Sequence, residues 1–139
     1  MKSKIKNQGF TLLEIIIVII IVGVLASLAL PRFFRTVEYS RGTEALTSLN
    51  AVRQSMERCY LQRNAYTNCN AFANLDLEDP ASSPNNHFTY AIAPAAATTY
   101  TITATRNTRD GGVATDTVVL TNNGATITRS GTTAFSGIQ

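Results

Sequence analysis

The sequence predicts an α+β fold in which one long N-terminal helix packs on a small C-terminal antiparallel sheet of about four strands. Three features support this prediction. Residues 15–30 carry no charge, residues 45–60 repeat apolar side chains at helical spacing, and residues 87–130 alternate or are rich in β-branched residues between turn signals. The length of 139 residues suits one small domain beside the apolar segment.

The first predicted element is an apolar helix over residues 10–31. The 21 residues from Phe10 to Leu30 would extend about 31 Å, which matches the hydrocarbon core of one bilayer. Lysines and no acids precede this helix in residues 1–9, so the positive-inside bias predicts a cytoplasmic N-terminus. We therefore expect a precursor that crosses the membrane once and carries an external domain over residues 32–139.

Two residues predict a bend in the apolar helix. Pro31 removes one backbone hydrogen bond and should loosen the turn near Ser27, and Gly23 weakens the helix further back. Membrane helices tolerate both residue types, so an undisturbed helix is the alternative.

The helix is predicted to continue over residues 32–61 with an apolar stripe that needs a cover. A connecting loop is predicted over residues 62–86, followed by a sheet over residues 87–130 that supplies the cover. The stripe consists of Ala45, Leu49, Val52 and Met56, with Cys59 or Tyr60. The predicted strands are His87–Ala93, Thr99–Ala104, Thr115–Thr121 and Ala125–Ser130, the last two joined by an Asn122-Asn123-Gly124 turn, with Phe88, Tyr90, Ile92, Tyr100, Ile102 and Ala104 facing the helix.

The basic isoelectric point of the whole chain is not evidence for a polyanionic partner. The chain has 12 basic and 9 acidic residues, but all of its lysines, Lys2, Lys4 and Lys6, lie in residues 1–9. Beyond residue 9, nine arginines face nine acids, so the formal net charge is zero. The basic isoelectric point belongs to the first nine residues, and no nucleic-acid partner is implied by it.

Residues 8–14 read Gln-Gly-Phe-Thr-Leu-Leu-Glu and directly precede the uncharged segment. An ordinary secretory signal is cut after its apolar core, whereas the candidate cut between Gly9 and Phe10 precedes the core. This pattern resembles the processing region of type IV prepilins and pseudopilins. The resemblance covers the motif, the apolar helix and Pro31, and beyond about Arg35 it is one of architecture only.

The resemblance implies how the chain is processed and what it assembles with. A membrane prepilin peptidase would remove residues 1–9 as a leader and N-methylate Phe10. Identical subunits would then leave the membrane and polymerise through their apolar helices, with the assembly machinery of the inner membrane. The segment from Gly23 to Pro31 would bend or unwind during that transfer.

Glu14 is the residue that membrane anchoring alone does not explain. A carboxylate inside a membrane helix costs about 2.5–3.5 kcal/mol, so it needs a partner, or it lies at the membrane edge, or it is protonated. The resemblance implies that Glu14 pairs with the N-terminal amine of Phe10 in a neighbouring subunit and sets the register of assembly.

The only two cysteines, Cys59 and Cys69, are predicted to form a structural disulfide. An external domain lies in an oxidising compartment, where two cysteines ten positions apart are expected to pair. A metal site at these cysteines is disfavoured because the single histidine, His87, is distant in the sequence.

Three functions fit these features. The first is a type IV pilin in an extracellular filament, and the second is a pseudopilin of a periplasmic type II secretion filament. Major secretion pseudopilins often lack a disulfide, which favours the pilin. Many type IV pilins, however, have their disulfide near the C-terminus, whereas Cys59 lies at the helix end and the predicted bridge does not hold residues 131–139. The third is a secreted domain that is cleaved near Ser27-Leu28-Ala29. This interpretation does not explain why a charged residue, Glu14, precedes the apolar segment.

Other chemistry has little support in the sequence. No nucleophile motif accompanies His87, and there is no phosphate-binding glycine loop or paired-histidine site, so we expect neither catalysis nor a cofactor. Asp110-Gly111-Gly112 with Asp116 is compatible with a calcium loop, but a plain turn is the simpler interpretation. Thirteen threonines between Thr98 and Thr133 suit the solvent face of a sheet, and O-linked decoration is an alternative.

Overall fold

A computed structural model describes residues 9–138 of the protein, and it confirms the predicted α+β fold. Helix α1 is followed by a four-stranded antiparallel sheet in the order β1-β2-β3-β4. The chain forms two compact units, the first ending at Arg35 and the second beginning at Thr36. The elements are α1 Leu12–Arg63, β1 Phe88–Pro94, β2 Tyr100–Arg106, β3 Thr117–Asn122 and β4 Ile127–Gly131.

The first unit is the apolar beginning of α1. Every side chain from Leu12 to Arg35 is exposed within the described structure, including large aliphatic residues such as Leu28 at 69%. By length and composition, α1 could cross a membrane. Because a helix that is apolar on all sides has no covered face of its own, this part of α1 requires a lipid or protein environment.

The second unit packs the striped part of α1 against the sheet. The predicted stripe is confirmed, since Ala45, Leu49, Val52 and Met56 are fully buried and Cys59 is 5% exposed. Side chains alternate along a strand, so β2 directs Tyr100, Ile102, Ala104 and Arg106 to the same side as the core, and all four are buried.

The segment between helix and sheet is a set of short turns. Three 3₁₀ turns lie at Tyr66–Asn68, Phe72–Asn74 and Pro80–Ser82. The first returns to the core, where the ring of Tyr66 lies 4.6 Å from the rings of both Tyr60 and Tyr100, centroid to centroid. Aromatic packing therefore closes the C-terminal end of α1.

The C-terminal residues contribute to the core in a way the sequence did not predict. Phe135 is fully buried and Ile138 is 3% exposed. Both approach Gly42, where an added Cβ would lie 2.5 Å from Cδ1 of Ile138 and 2.7 Å from Cδ1 of Phe135. Gly42 is thus a packing position, because only a residue without a side chain allows the C-terminal segment to lie against α1.

Among the described residues, the strands carry no charged side chain on the face of the sheet opposite to α1. The strand registers place small and hydroxyl-bearing residues there, exposed on the edge strands β1 and β4 and half-buried on the central strands. We call this surface the threonine face; it consists of Thr89, Ala91 and Ala93 of β1, Thr101, Thr103 and Thr105 of β2, Thr117, Val119 and Thr121 of β3, and Thr128 and Ser130 of β4.

Candidate functional site

Helix α1 begins with reciprocal hydrogen bonds between Thr11 and Glu14. The Thr11 hydroxyl accepts a bond from the backbone N–H of Glu14 at 3.2 Å. Oε2 of Glu14 accepts bonds from the backbone N–H and the hydroxyl of Thr11, each at 2.8 Å. This capping box satisfies N–H groups that a helix start otherwise leaves unpaired. Our sequence reasoning missed it, although the spacing Thr-x-x-Glu is its signature.

The carboxylate of Glu14 retains capacity for a further partner. Both bonds from Thr11 end on Oε2, and Oε1 accepts no hydrogen bond among the described residues. The side chain is exposed on the first turn of the helix, where the helix dipole favours a negative charge. The structure therefore holds the carboxylate in one orientation and leaves one oxygen open to an external donor.

The predicted cleavage residues lie immediately before the capping box. Gly9 and Phe10 are in irregular backbone, and Phe10 is 84% exposed. The preceding lysines, Lys2, Lys4 and Lys6, lie outside the described residues. Cleavage after Gly9 and methylation of Phe10 stay predictions.

Gly23 and Pro31 both lie within α1, which is helical throughout Leu12–Arg63. The hydroxyl of Ser27, four residues before Pro31, donates a hydrogen bond to the carbonyl oxygen of Val24 at 2.7 Å. Such bonding from a serine to the preceding turn often accompanies helix bending. The bend predicted at Gly23 and Pro31 is not tested by these contacts and stays a prediction.

Cys59 and Cys69 form the predicted disulfide, with a Cα–Cα distance of 6.2 Å. A second link fixes the connecting segment farther along, because the carboxylate of Asp76 accepts hydrogen bonds from Arg58 and from the hydroxyl of Ser55. Arg58, followed by Ser55, lowers the pKa of Asp76 to about 2. The segment after α1 is therefore tied back to the helix by one covalent bond and one ionic group.

A second ionic network centres on the buried side chain of Arg106. Its Nε and Nη2 lie 3.1 and 3.2 Å from the carboxylate oxygens of Glu38, and Nη1 donates to the carbonyl oxygen of His87. The hydrogen bond from Arg106 lowers the pKa of Glu38 against the opposing effect of its burial. Arg41 pairs with Glu38 at 2.6 Å and with Asp110 at 3.4 Å, so the network joins α1 to the sheet and to the loop after β2.

Asp110 and Asp116, the residues considered for calcium, have different contacts. Oδ2 of Asp110 lies 3.4 Å from Arg41 and 3.1 Å from Nε2 of His87. Asp116 is 5% exposed, and its Oδ1 has no hydrogen-bond partner among the described residues. Within residues 9–138 there is no group of three or more His, Cys, Asp or Glu side chains arranged to hold a metal ion.

Comparison with known families identifies the chain. The model of the prokaryotic N-terminal methylation motif matches residues 4–30. The model described as type IV minor pilin ComP, DNA uptake sequence receptor, matches residues 31–117, more than half of the chain. The chain belongs to the type IV pilin and pseudopilin family. The capping box of this pilin-type subunit therefore lies inside the region that matches the methylation motif.

Individual relatives include both branches of the family. The chain is 36% identical over 69 residues to the type IV major pilin protein PilA of Myxococcus xanthus, covering 50% of this chain and 30% of PilA. It is 33% identical over 84 residues to the type II secretion system core protein G of Escherichia coli, covering 60% and 58% of the two chains. With the type IV major fimbrial protein FimA of Dichelobacter nodosus it shares 30% identity over 63 residues, covering 45% and 40%.

The chain thus spans less than two thirds of each of these relatives. No solved structure matches it.

Proposed function

We propose that this pilin-type subunit is a structural, non-enzymatic component of a type IV pilus that polymerises through residues 10–31. The observation that carries the proposal is the fixed carboxylate of Glu14 with its open Oε1, at the start of a helix whose other early residues are apolar and exposed. In the filament, Glu14 pairs with the N-terminal amine of Phe10 from a neighbouring subunit.

Electrostatics explains why such a pair selects the correct register. Two opposite charges in an apolar bundle stabilise each other only at close range, and an unpaired charge there is strongly unfavourable. The amine exists only after the leader is removed, so assembly depends on prior cleavage after Gly9. Before assembly, the subunit is held in the inner membrane by the apolar part of α1.

Processing is tested by the intact mass of the extracellular protein. We expect a chain that begins at Phe10, carries one added methyl group and lacks lysine, because every lysine is in residues 1–9. A chain that begins near Leu30 would refute the filament function and favour the secreted domain.

The location of the filament separates the pilus from the pseudopilus. Similarity to type II secretion core protein G favours the pseudopilus as the alternative. Fibres sheared from whole cells and identified by mass spectrometry as this subunit support the pilus. Filaments recovered only from the periplasm would support the pseudopilus.

The description of the matched pilin family as a DNA uptake sequence receptor favours a second role for the external unit. Among the arginines of the second unit, Arg63, Arg109 and Arg129 make their described hydrogen bonds to uncharged oxygens, so their charges are more available for phosphates than those of the arginines paired with carboxylates. Duplex DNA binding by the mature chain, measured against salt concentration, tests this role. Arg109→Gln with Arg129→Gln should weaken binding, and Arg53→Gln, whose guanidinium pairs with Glu57, is the control.

A further inference from the structure

We infer that the end of the apolar segment of α1 carries a binding site for one anionic phospholipid of the external leaflet. Arg32 and Arg35 hold the headgroup phosphate, and an acyl chain lies along the helix beside the two turns that precede Arg32. The inference rests on the membrane-held stage of the proposed function, in which residues 10–31 span the bilayer. It does not require that the subunit forms filaments.

A shallow groove on the helix surface ends at Arg32. Its volume is about 480 Å³, and it is lined by Leu25, Leu28, Ala29 and Arg32. Residues three and four positions apart lie on one face of a helix, so these four side chains follow one another along about 10 Å of its length. The groove is therefore apolar along its course and positively charged at its end, which matches the acyl chain and the phosphate of a lipid.

The expected depth of Arg32 is the boundary between hydrocarbon and headgroups. The 21 residues from Phe10 to Leu30 are long enough for one hydrocarbon core, so Arg32 follows at its edge. Phe33 and Phe34 come next, and both rings are exposed, so apolar surface continues past the arginine. A long basic side chain at this depth extends toward the headgroups, where lipid phosphates are the nearest acceptors.

The charge of this segment favours an anionic lipid over a zwitterionic one. Residues 15–37 contain two basic residues, Arg32 and Arg35, and no acidic residue. The next acid, Glu38, already accepts hydrogen bonds from the buried Arg106. A planar guanidinium binds phosphate oxygens in pairs, so two such groups one helical turn apart complement a headgroup of negative net charge.

The side of the membrane on which these arginines lie supports a specific role for them. Basic residues beside a membrane span favour the cytoplasmic side, so arginines just beyond the other end oppose the predicted orientation. Binding of a phosphate accounts for their position, whereas anchoring does not require a charge there. Polymerisation through residues 10–31 would cover the same groove with other helices, so the lipid belongs to the stage before assembly.

The test reconstitutes the full chain in nanodiscs of phosphatidylcholine that contain one quarter phosphatidylglycerol. Native mass spectrometry then counts the lipids that stay bound to the released subunit. We expect the wild type to retain phosphatidylglycerol in preference to phosphatidylcholine. Arg35→Gln should lower the retained phosphatidylglycerol about fivefold, and Arg32→Gln with Arg35→Gln should lower it about 25-fold. The lysines of residues 1–9 are the same in every variant, so the differences report the arginines alone.

Two further variants separate a groove from a general attraction between charges. Ala29→Leu fills the groove with a larger side chain and keeps both arginines, so most of the retained phosphatidylglycerol should be lost. Arg63→Gln makes the same change of charge in the last turn of α1, and it should retain the wild-type amount.

The results that would overturn the site differ from those that would refute the proposed function. Equal retention of both lipids by the wild type, or a preference that survives the double arginine variant, would refute the site. A preference that Ala29→Leu leaves unchanged would show that the arginines attract headgroups without a groove, which would refute it as well. If the double variant kept the lipid but lost filaments in cells, the arginines would serve a neighbouring subunit instead. Lipid retention is measured on single subunits, so retention in a chain whose cells make no filaments would support the site and refute only the proposed function.

Discussion

Replacing Glu14 with glutamine separates the two roles that the structure gives this side chain. Glutamine retains an oxygen that can accept the hydrogen bond from Thr11, so the capping box is kept and only the negative charge is lost. Thr11→Ala is the reciprocal change, because it removes the capping hydroxyl and keeps the charge of Glu14. The two variants therefore test charge pairing and helix capping independently.

The expected magnitudes differ enough to be distinguished. Loss of an N-cap side chain costs about 1 kcal/mol, which is roughly a fivefold effect. Leaving one member of a buried ion pair without its partner costs about 3–5 kcal/mol, which exceeds a hundredfold effect. Membrane insertion should change in the opposite direction, because removing a carboxylate from an apolar segment relieves up to about 2.5–3.5 kcal/mol.

The assay measures two quantities in cells that express each variant at the same level. Immunoblots of membranes report the inserted subunit, and the mass of sheared fibres reports assembly. We expect Glu14→Gln to insert at least as well as the wild type and to lose filaments by more than about a hundredfold. Thr11→Ala should lose no more than about fivefold. Normal filament yield in Glu14→Gln would refute the pairing, and if Thr11→Ala were defective in the same assay, the role of Glu14 would be capping alone.

Three further predictions concern the second unit. Arg106→Met removes the buried guanidinium that donates to Glu38, while Arg41 still pairs with that carboxylate, so urea unfolding of the detergent-solubilised chain should show a loss of about 1.5–3 kcal/mol; an unchanged midpoint would contradict this. Replacing Cys59 and Cys69 with serine should lower the free energy of unfolding by up to about 3 kcal/mol, and thiol labelling of the denatured, unreduced wild type should find none free. The depressed pKa of Asp76, about 2, stabilises the fold above the ordinary carboxyl pKa near 3.9, and that stability is lost as pH falls toward 2. Asp76→Asn should therefore lose less stability than the wild type between pH 5 and pH 2, and equal acid sensitivity would exclude this role.

The periodic parts of the sequence predicted the fold because burial itself is periodic. Leu49, Val52 and Met56 recur at helical spacing, and all three are fully buried. Alternation in the segment that became β2 placed Tyr100 and Ile102 correctly on the core side. In both elements, one face meets water and the other does not. The pattern of apolar residues therefore identifies the buried face, even when the segment that covers this face is not known.

The parts that the sequence did not reveal depend on contacts between distant segments. Nothing near Gly42 indicates that Phe135 and Ile138 will lie against it, since the contact joins residues far apart in the chain. Arg106 continues the alternation of β2 and points toward the core. From the sequence alone an arginine at this position indicates the end of the strand, because its buried partner, Glu38, is far away in the chain. Capping at Thr11 was different, because its signal was local and visible.

The contrast between the two units indicates where the drive for polymerisation lies. In the second unit, the apolar stripe of α1 is already covered, with Leu49 and Met56 fully buried. In the first unit, side chains such as Ile20 and Leu25 are about 60% exposed. At about 25 cal/mol per Å², covering such a helix by lipid or by identical helices is strongly favourable, but apolar burial is the same in many registers. Under the proposed function, burial therefore supplies the affinity, and the charge of Glu14 selects one register among them.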